Sequence, residues 1–113
     1  MGYIRHHAIV VTVICKADAK RVHAEAKAIV PSASDLSPAM INGYCSFFIP
    51  PDGSKEGWDE SSQGDDRRHR LKERLRQLHK DGHYNDWVEV FFGEDNSLAA
   101  IVDHSRAESK SCR

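Results

Sequence analysis

The stretch that most constrains this chain is residues 8–15, AIVVTVIC, in which Thr12 is the one polar residue. Six of its eight residues are β-branched, which favours the pleated backbone over a helix. It is far shorter than the ~18 apolar residues a membrane span requires. An apolar run of this length reads as a central strand covered on both faces. Ahead of it, Gly2-Tyr3-Ile4-Arg5-His6-His7 forms a polar lip. Strand neighbours point to opposite faces, so His6 and His7 diverge while Arg5 and His7 share a face.

The remaining elements follow from punctuation. Asp18 stands as a helix N-cap. Residues 19–30 then carry Val22, Ala26 and Ile29 at helical spacing, and Pro31 ends that helix. Asn42-Gly43 is a turn signal ahead of the strand 44–49, which Pro50-Pro51-Asp52-Gly53 closes. Ser54 caps a short helix through Ser61 that carries Trp58, with Gly57 and Gly64 weakening it. A longer helix opens at Asp65 or Asp66 and runs over 67–80. Its apolar stripe is Leu71, Leu75 and Leu78, Gly82 is its stop, and Arg67, Arg68, Arg70, Lys72, Arg74, Arg76 and Lys80 occupy the other faces. Strands at 86–92 and 98–102 flank a stretch, Gly93 to Ser97, of hairpin length and chemistry.

This order, β-α-β-α-β-β with a short additional helix, predicts an α+β two-layer sandwich: a four-stranded sheet with helices on one face. The expected domain covers 1–104, with a polar tail over 105–113. Trp87 and Phe91 oppose Val88, Val90 and Phe92 on the third strand, more apolar surface than one helical layer covers. The open face is therefore expected to be a dimer interface or a ligand surface.

Sixteen basic against seventeen acidic residues leave a net charge of -1. That balance lacks the basic surplus that duplex nucleic acid selects. Three cysteines, Cys15, Cys45 and Cys112, with no C-x-x-C, argue against a disulfide framework or zinc knuckle. Cys15 and Cys45 read as buried apolar residues, which suits a reducing cytosol. No membrane segment or signal peptide is expected, and His6 breaks the myristoylation pattern.

Four groups of residues could carry chemistry. Arg5 and His7 look onto one face and could serve a base or an anion, or simply be solvated at a strand start. In "PPDGSKEGW", Ser54 and Lys55 at a helix start suit phosphate or carboxylate, and Trp58 could stack on a ring; the alternative is a capped turn with a core Trp. It is not a P-loop, whose glycine-lysine spacing is absent. In "DDRRHR", Arg67 and Arg68 could grip an anion, although Asp65 and Asp66 offset them; the alternative is a solvated helix face. His79 and His83 have metal-ligand spacing, but Gly82 interrupts the helix between them. No metal site, cofactor or catalytic set is expected.

The segments "MGYIRHHAIVVT", "INGYCSFFIPPDGSKEGWDES" and "DWVEV" resemble a group of small bacteriophage and prophage proteins of unknown function, over about half the chain. The resemblance implies a bacterial host cytoplasm and brings no catalytic residues. Proteins of that class inhibit host enzymes or sequester nucleotide signals used in defence.

The leading expectation is a non-enzymatic protein that binds an anionic small ligand such as a nucleotide, in a counter-defence role, through Arg5, His7, Ser54, Lys55, Trp58, Arg67 and Arg68. The second is a protein–protein module, a homo-oligomer or an inhibitor of a host protein. The third is an enzyme acting on a phosphoester or nucleotide with His7 as base.

Overall fold

A computed structural model describes residues 6–53, 58–93 and 99–106. Four antiparallel strands form one sheet in the order β2-β1-β3-β4. They are β1 (His6–Ile14), β2 (Tyr44–Ile49), β3 (Asp86–Phe92) and β4 (Ala100–His104), with α1 (Lys16–Ile29) and α2 (Asp59–Lys80) packed together on one face. This is the expected α+β arrangement, with β1 central.

Register sorts every strand residue onto one of two faces. On the helix side Val11 lies between Phe47 and Trp87, and Ile9 between Ile49 and Glu89. Val13 and Cys45 extend that row of side chains, and Val22, Ala26, Leu71, Leu75 and Leu78 close the core from above. On the other side Val10 lies between Phe48 and Val88, and Ile14 pairs with Tyr44. No described helix covers that side, so β1 is buried on one face only, not on both as its composition suggests. Val10, Ile14, Phe48 and Phe92 stay exposed.

Several boundaries differ from the sequence reading for local reasons. α1 begins at Lys16, and Cys15 takes the N-cap position with φ 75°. This left-handed residue reverses the chain between β1 and α1 in one step and leaves Cys15 exposed rather than buried. Asp18 is consequently inside the first turn, where its carboxylate meets His83 Nδ1 at 3.1 Å.

The second helix is a single unit, not two. The part of the expected short helix at 54–57 lies outside the described residues. Trp58 is extended (φ -81°, ψ 155°) and the helix runs on from Asp59 through Gly64. Asp59 and Glu60 supply negative charge to its first turn. Gly64 is there for space: a Cβ would collide with the Asp52 carboxylate, which packs against the helix at that point. At the other end Gly82, at φ 97°, completes a Schellman stop: His83 N–H bonds Leu78 O at 2.8 Å and Gly82 N–H bonds His79 O at 3.2 Å.

Leu98 of the expected fourth strand and residues 94–97 of the expected hairpin lie outside the described residues; β4 runs over Ala100–His104, and a register shift opposite Glu89 and Val90 interrupts its pairing with β3. The outer edge of β2 is covered by the chain's own loop. Ser34 and Ser37 donate their N–H groups to Phe48 O and Ser46 O and accept the return N–H groups on their hydroxyls, at 2.8–2.9 Å. A sheet edge that would otherwise template pairing with another chain is thereby closed.

Candidate functional site

Three regions of the described structure carry chemistry: an ionic layer under α2, the open sheet face, and a cleft where one end of that face meets the α2–β3 turn.

The ionic layer arises from helical spacing. Arg68, Lys72 and Arg76 are four residues apart and share one stripe of α2 beside the leucine stripe. That stripe lies over Glu89 on β3 and Asp103 on β4, which are directly paired across the strands. Two carboxylates so placed repel each other. Lys72 Nζ bridges them, at 2.6 Å from Glu89 Oε1 and 3.1 Å from Asp103 Oδ2. Arg76 contacts Asp103 at 3.2 Å, and its guanidinium lies 4.9 Å from the centre of the Trp87 ring. Arg68, only 8% exposed, reaches Glu89 Oε2 at 3.5 Å and Asp52 at 3.9 Å and is hydrogen-bonded to Asp65. His7 Nδ1 stands 3.5 Å from the same Glu89 oxygen, a long contact.

Burial pushes the Glu89 carboxyl up, but the contacts from His7 and Lys72 and the charges of Lys72 and Arg68 outweigh it, and its pKa lies below the usual carboxylate value. Asp103 is lowered on the same balance: burial raises it, while Lys72, the His104 N–H and the Arg76 charge lower it further. The layer holds three permanent cations against Glu89, Asp103, Asp65 and Asp52. It neutralises itself and offers an incoming anion no surplus positive charge.

This decides where the expected site residues stand. Arg5, Ser54 and Lys55 lie outside the described residues. His7 and Arg68 do converge, on Glu89, and Asp52 brings the loop after β2 to the same place. Arg68 is committed to carboxylates there. Arg67, one residue earlier on the helix, is exposed, and so is Trp58 at the helix start, 48% accessible rather than core. Arg67 and Arg68 therefore do not form a joint grip. Sequence reasoning passed over Glu89 and Asp103. The signal for Glu89 was present: a lone acid between Trp87 and Phe91 at period two must face the core.

The open sheet face presents Val10, Ile14, Tyr44, Phe48, Phe92 and Ile101 to solvent, with Val88 and Val90 half-buried among them. At the β3–β4 end it runs into an apolar hollow of about 550 Å³ lined by Val90, Phe92 and Ile101. Thr12 and Ser46 join hydroxyls at 2.9 Å across the face. Asp86 is its one carboxylate among the described strand residues and is held by Arg106 at 3.4 Å.

The cleft, of about 340 Å³, lies at the opposite end, between Thr12, Ile14 and Tyr44 of the face and His79, Tyr84 and Asn85 of the turn, with Asp86 and Arg106 at its rim. Its turn side is fixed by hydrogen bonds. Asn85 Nδ2 donates to Leu75 O and His83 O, both at 3.1 Å, and the Asn85 N–H meets His79 Nδ1 at 3.3 Å. Tyr84 sits edge-on to the His79 ring with centres 5.0 Å apart.

Among the described residues no group of three or more His, Cys, Asp or Glu side chains could hold a metal ion, and no helix is long and apolar enough to cross a membrane. Compared with protein-family models, with curated proteins and with solved structures, the chain matches none.

Proposed function

We propose that this chain is a non-catalytic binding protein whose working surface is the open face of its sheet, and that a second copy of the chain is its first partner there. The observation that carries this reading is the uncovered apolar face itself. A sheet with helices on one side normally sets polar residues on the other. Here Val10, Ile14, Phe48, Phe92 and Ile101 dominate it, with Thr12, Ser46 and Asp86 as polar residues among them.

The size permits self-association. Strands of nine, six, seven and five residues, at ~3.4 Å per residue and about 4.8 Å apart, give a flat footprint of about 440 Å². Side chains standing off the pleat add to this, which suits an interface smaller than the standard ~800 Å² per partner. Charge is also permissive: Asp86 is already paired at the rim, so a two-fold contact sets apolar rows against apolar rows without opposing like charges. The phage or prophage setting belongs to this reading as a proposal, with a host protein as the alternative occupant of the same face.

The catalytic alternative has less behind it. The polar contact of the His7 ring is with Glu89, inside the ionic layer, and Cys45 is buried in the core.

Sedimentation velocity across a wide concentration range tests the proposal. The wild-type chain is expected to sediment as a dimer. Val10→Glu is expected to be a folded monomer, because it places a charge at the centre of the face and leaves the core side untouched. A wild-type monomer at every concentration overturns the self-association; a dimer that Val10→Glu does not weaken overturns the assignment of the face.

A further inference from the structure

We propose that the cleft at the α2–β3 turn binds a nucleobase-containing small molecule by its flat ring. This goes beyond the sheet-face reading: the cleft shares Thr12, Ile14 and Tyr44 with that face and adds His79, Tyr84, Asn85 and Arg106.

The cleft's volume, about 340 Å³, falls at the small end of ligand pockets. Its chemistry is that of a flat ring with polar edges. Tyr84 is 62% exposed and Tyr44 is also exposed, so two large aromatic rings line the cleft outside the core. Stacking on such rings is what every base can offer whatever its sequence. Around them stand groups that read a ring's edge: the Thr12 hydroxyl, the His79 imidazole, the Asp86 carboxylate and the Arg106 guanidinium. Asp86 and Arg106, an acceptor beside a donor, match the alternating donors and acceptors of a base edge.

The site is also preformed. The Schellman stop at Gly82 sets the turn, and the Asn85 amide is locked through both of its Nδ2 bonds. Asn85 is buried, and its Oδ1 has no hydrogen-bond partner among the described residues. The Asn85 backbone fixes the His79 ring, whose Nδ1 lies 3.3 Å from the Asn85 nitrogen and 3.2 Å from its carbonyl oxygen.

Charge sets the ligand class further. Arg106 is held by Asp86, so the cleft has no surplus cation for a phosphate. The ring, not a phosphate, supplies the affinity.

The test is a titration followed by backbone amide chemical shifts, with adenosine, guanosine, cytidine, uridine, their 5′-monophosphates and ribose as probes. It is run on the wild type and on Val10→Glu, so that failure of the dimer is distinguishable from failure of the cleft. Saturable shifts at Thr12, Tyr44 and residues 79–86 are expected for at least one nucleoside, with ribose silent. The matching monophosphate is expected to bind within about fivefold of the nucleoside, as an exposed charge pair contributes little. Tyr84→Ser should weaken binding by about tenfold or more, while Tyr84→Phe retains it. No saturable nucleoside binding, ribose binding as well as the nucleoside, or a Tyr84→Ser variant with unchanged affinity each overturns the proposal.

Discussion

Replacing Glu89 by Gln isolates the charge at the centre of the ionic layer while keeping shape and one acceptor. Glu89 is 4% exposed and contacts Lys72 at 2.6 Å and Arg68 at 3.5 Å. Removing one partner of a buried ion pair costs about 3–5 kcal/mol, because the remaining charge stays buried. Both cations keep other carboxylates here: Lys72 has Asp103, and Arg68 has Asp65 and Asp52. The cost therefore falls at the lower end, about 3 kcal/mol. At about 4 °C per kcal/mol for a domain of this size, Tm drops by ~12 °C. The pH dependence is a second, independent reading. The ordinary carboxyl value is 4.5 and the folded value lies below it, since burial raises it less than His7, Lys72 and Arg68 lower it. Above pH 4.5 the carboxylate contributes its full stabilisation, and this is lost as pH falls through the lower folded value. Gln has no proton to take up. Urea denaturation at fixed m should therefore show the whole gap between wild type and Glu89→Gln at pH 7, narrowing below pH 4.5. A gap below about 1 kcal/mol at pH 7, the worth of an exposed pair, or one that widens on acidification, refutes the reasoning.

The other elements give sharper local tests. Gly82→Ala, at φ 97° with open space around the position, should cost about 1–2 kcal/mol from backbone strain alone, read as a lower urea midpoint with the same far-ultraviolet spectrum. Ser34→Ala with Ser37→Ala should destabilise by about 1–3 kcal/mol in total, as the Phe48 and Ser46 N–H groups lose their acceptors. Light scattering should also rise faster on heating, because the β2 edge opens. Gly64→Ala should gain the ~1 kcal/mol of helix propensity only when Asp52 is also Ala, since the Cβ and the Asp52 carboxylate compete for one space. Additive effects in that double-mutant cycle would contradict the close approach.

What was legible from the residues follows the range of the forces involved. β2 and β3 have their expected bounds, because Asn42-Gly43, Pro50 and Gly93 punctuate them and their apolar content needs no distant partner to specify a strand. Gly82 likewise announces its own stop. Cys15 was missed as a reversal point, since nothing in a cysteine signals a φ of 75°; the tertiary path imposes it. The Arg68–Lys72–Arg76 stripe looks like a solvated face from its own helix and becomes buried only because Glu89 and Asp103, on two later strands, lie beneath it. The cleft was illegible for the same reason. Thr12, Tyr44, Tyr84 and Arg106 come from four separate segments, and register alone brings them together.

That register also ties the two proposals to each other. Thr12, Ile14 and Tyr44 belong to the open face and line the cleft as well. A second copy on the face approaches the same Ile14 and Tyr44 side chains that a ring in the cleft would touch. Binding at one place then changes the free energy of binding at the other, and the change is equal in both directions. If the copies close over the rim, the dimer binds the nucleoside more tightly, and ligand shifts the sedimentation profile toward dimer. If they crowd it, ligand favours monomer by the same factor. Titrating nucleoside affinity against protein concentration measures that factor, and Val10→Glu must abolish its concentration dependence, since Val10 lies on the face but outside the cleft. An affinity independent of protein concentration, in a wild type that does dimerise and does bind, would mean that the two surfaces share residues without sharing energy.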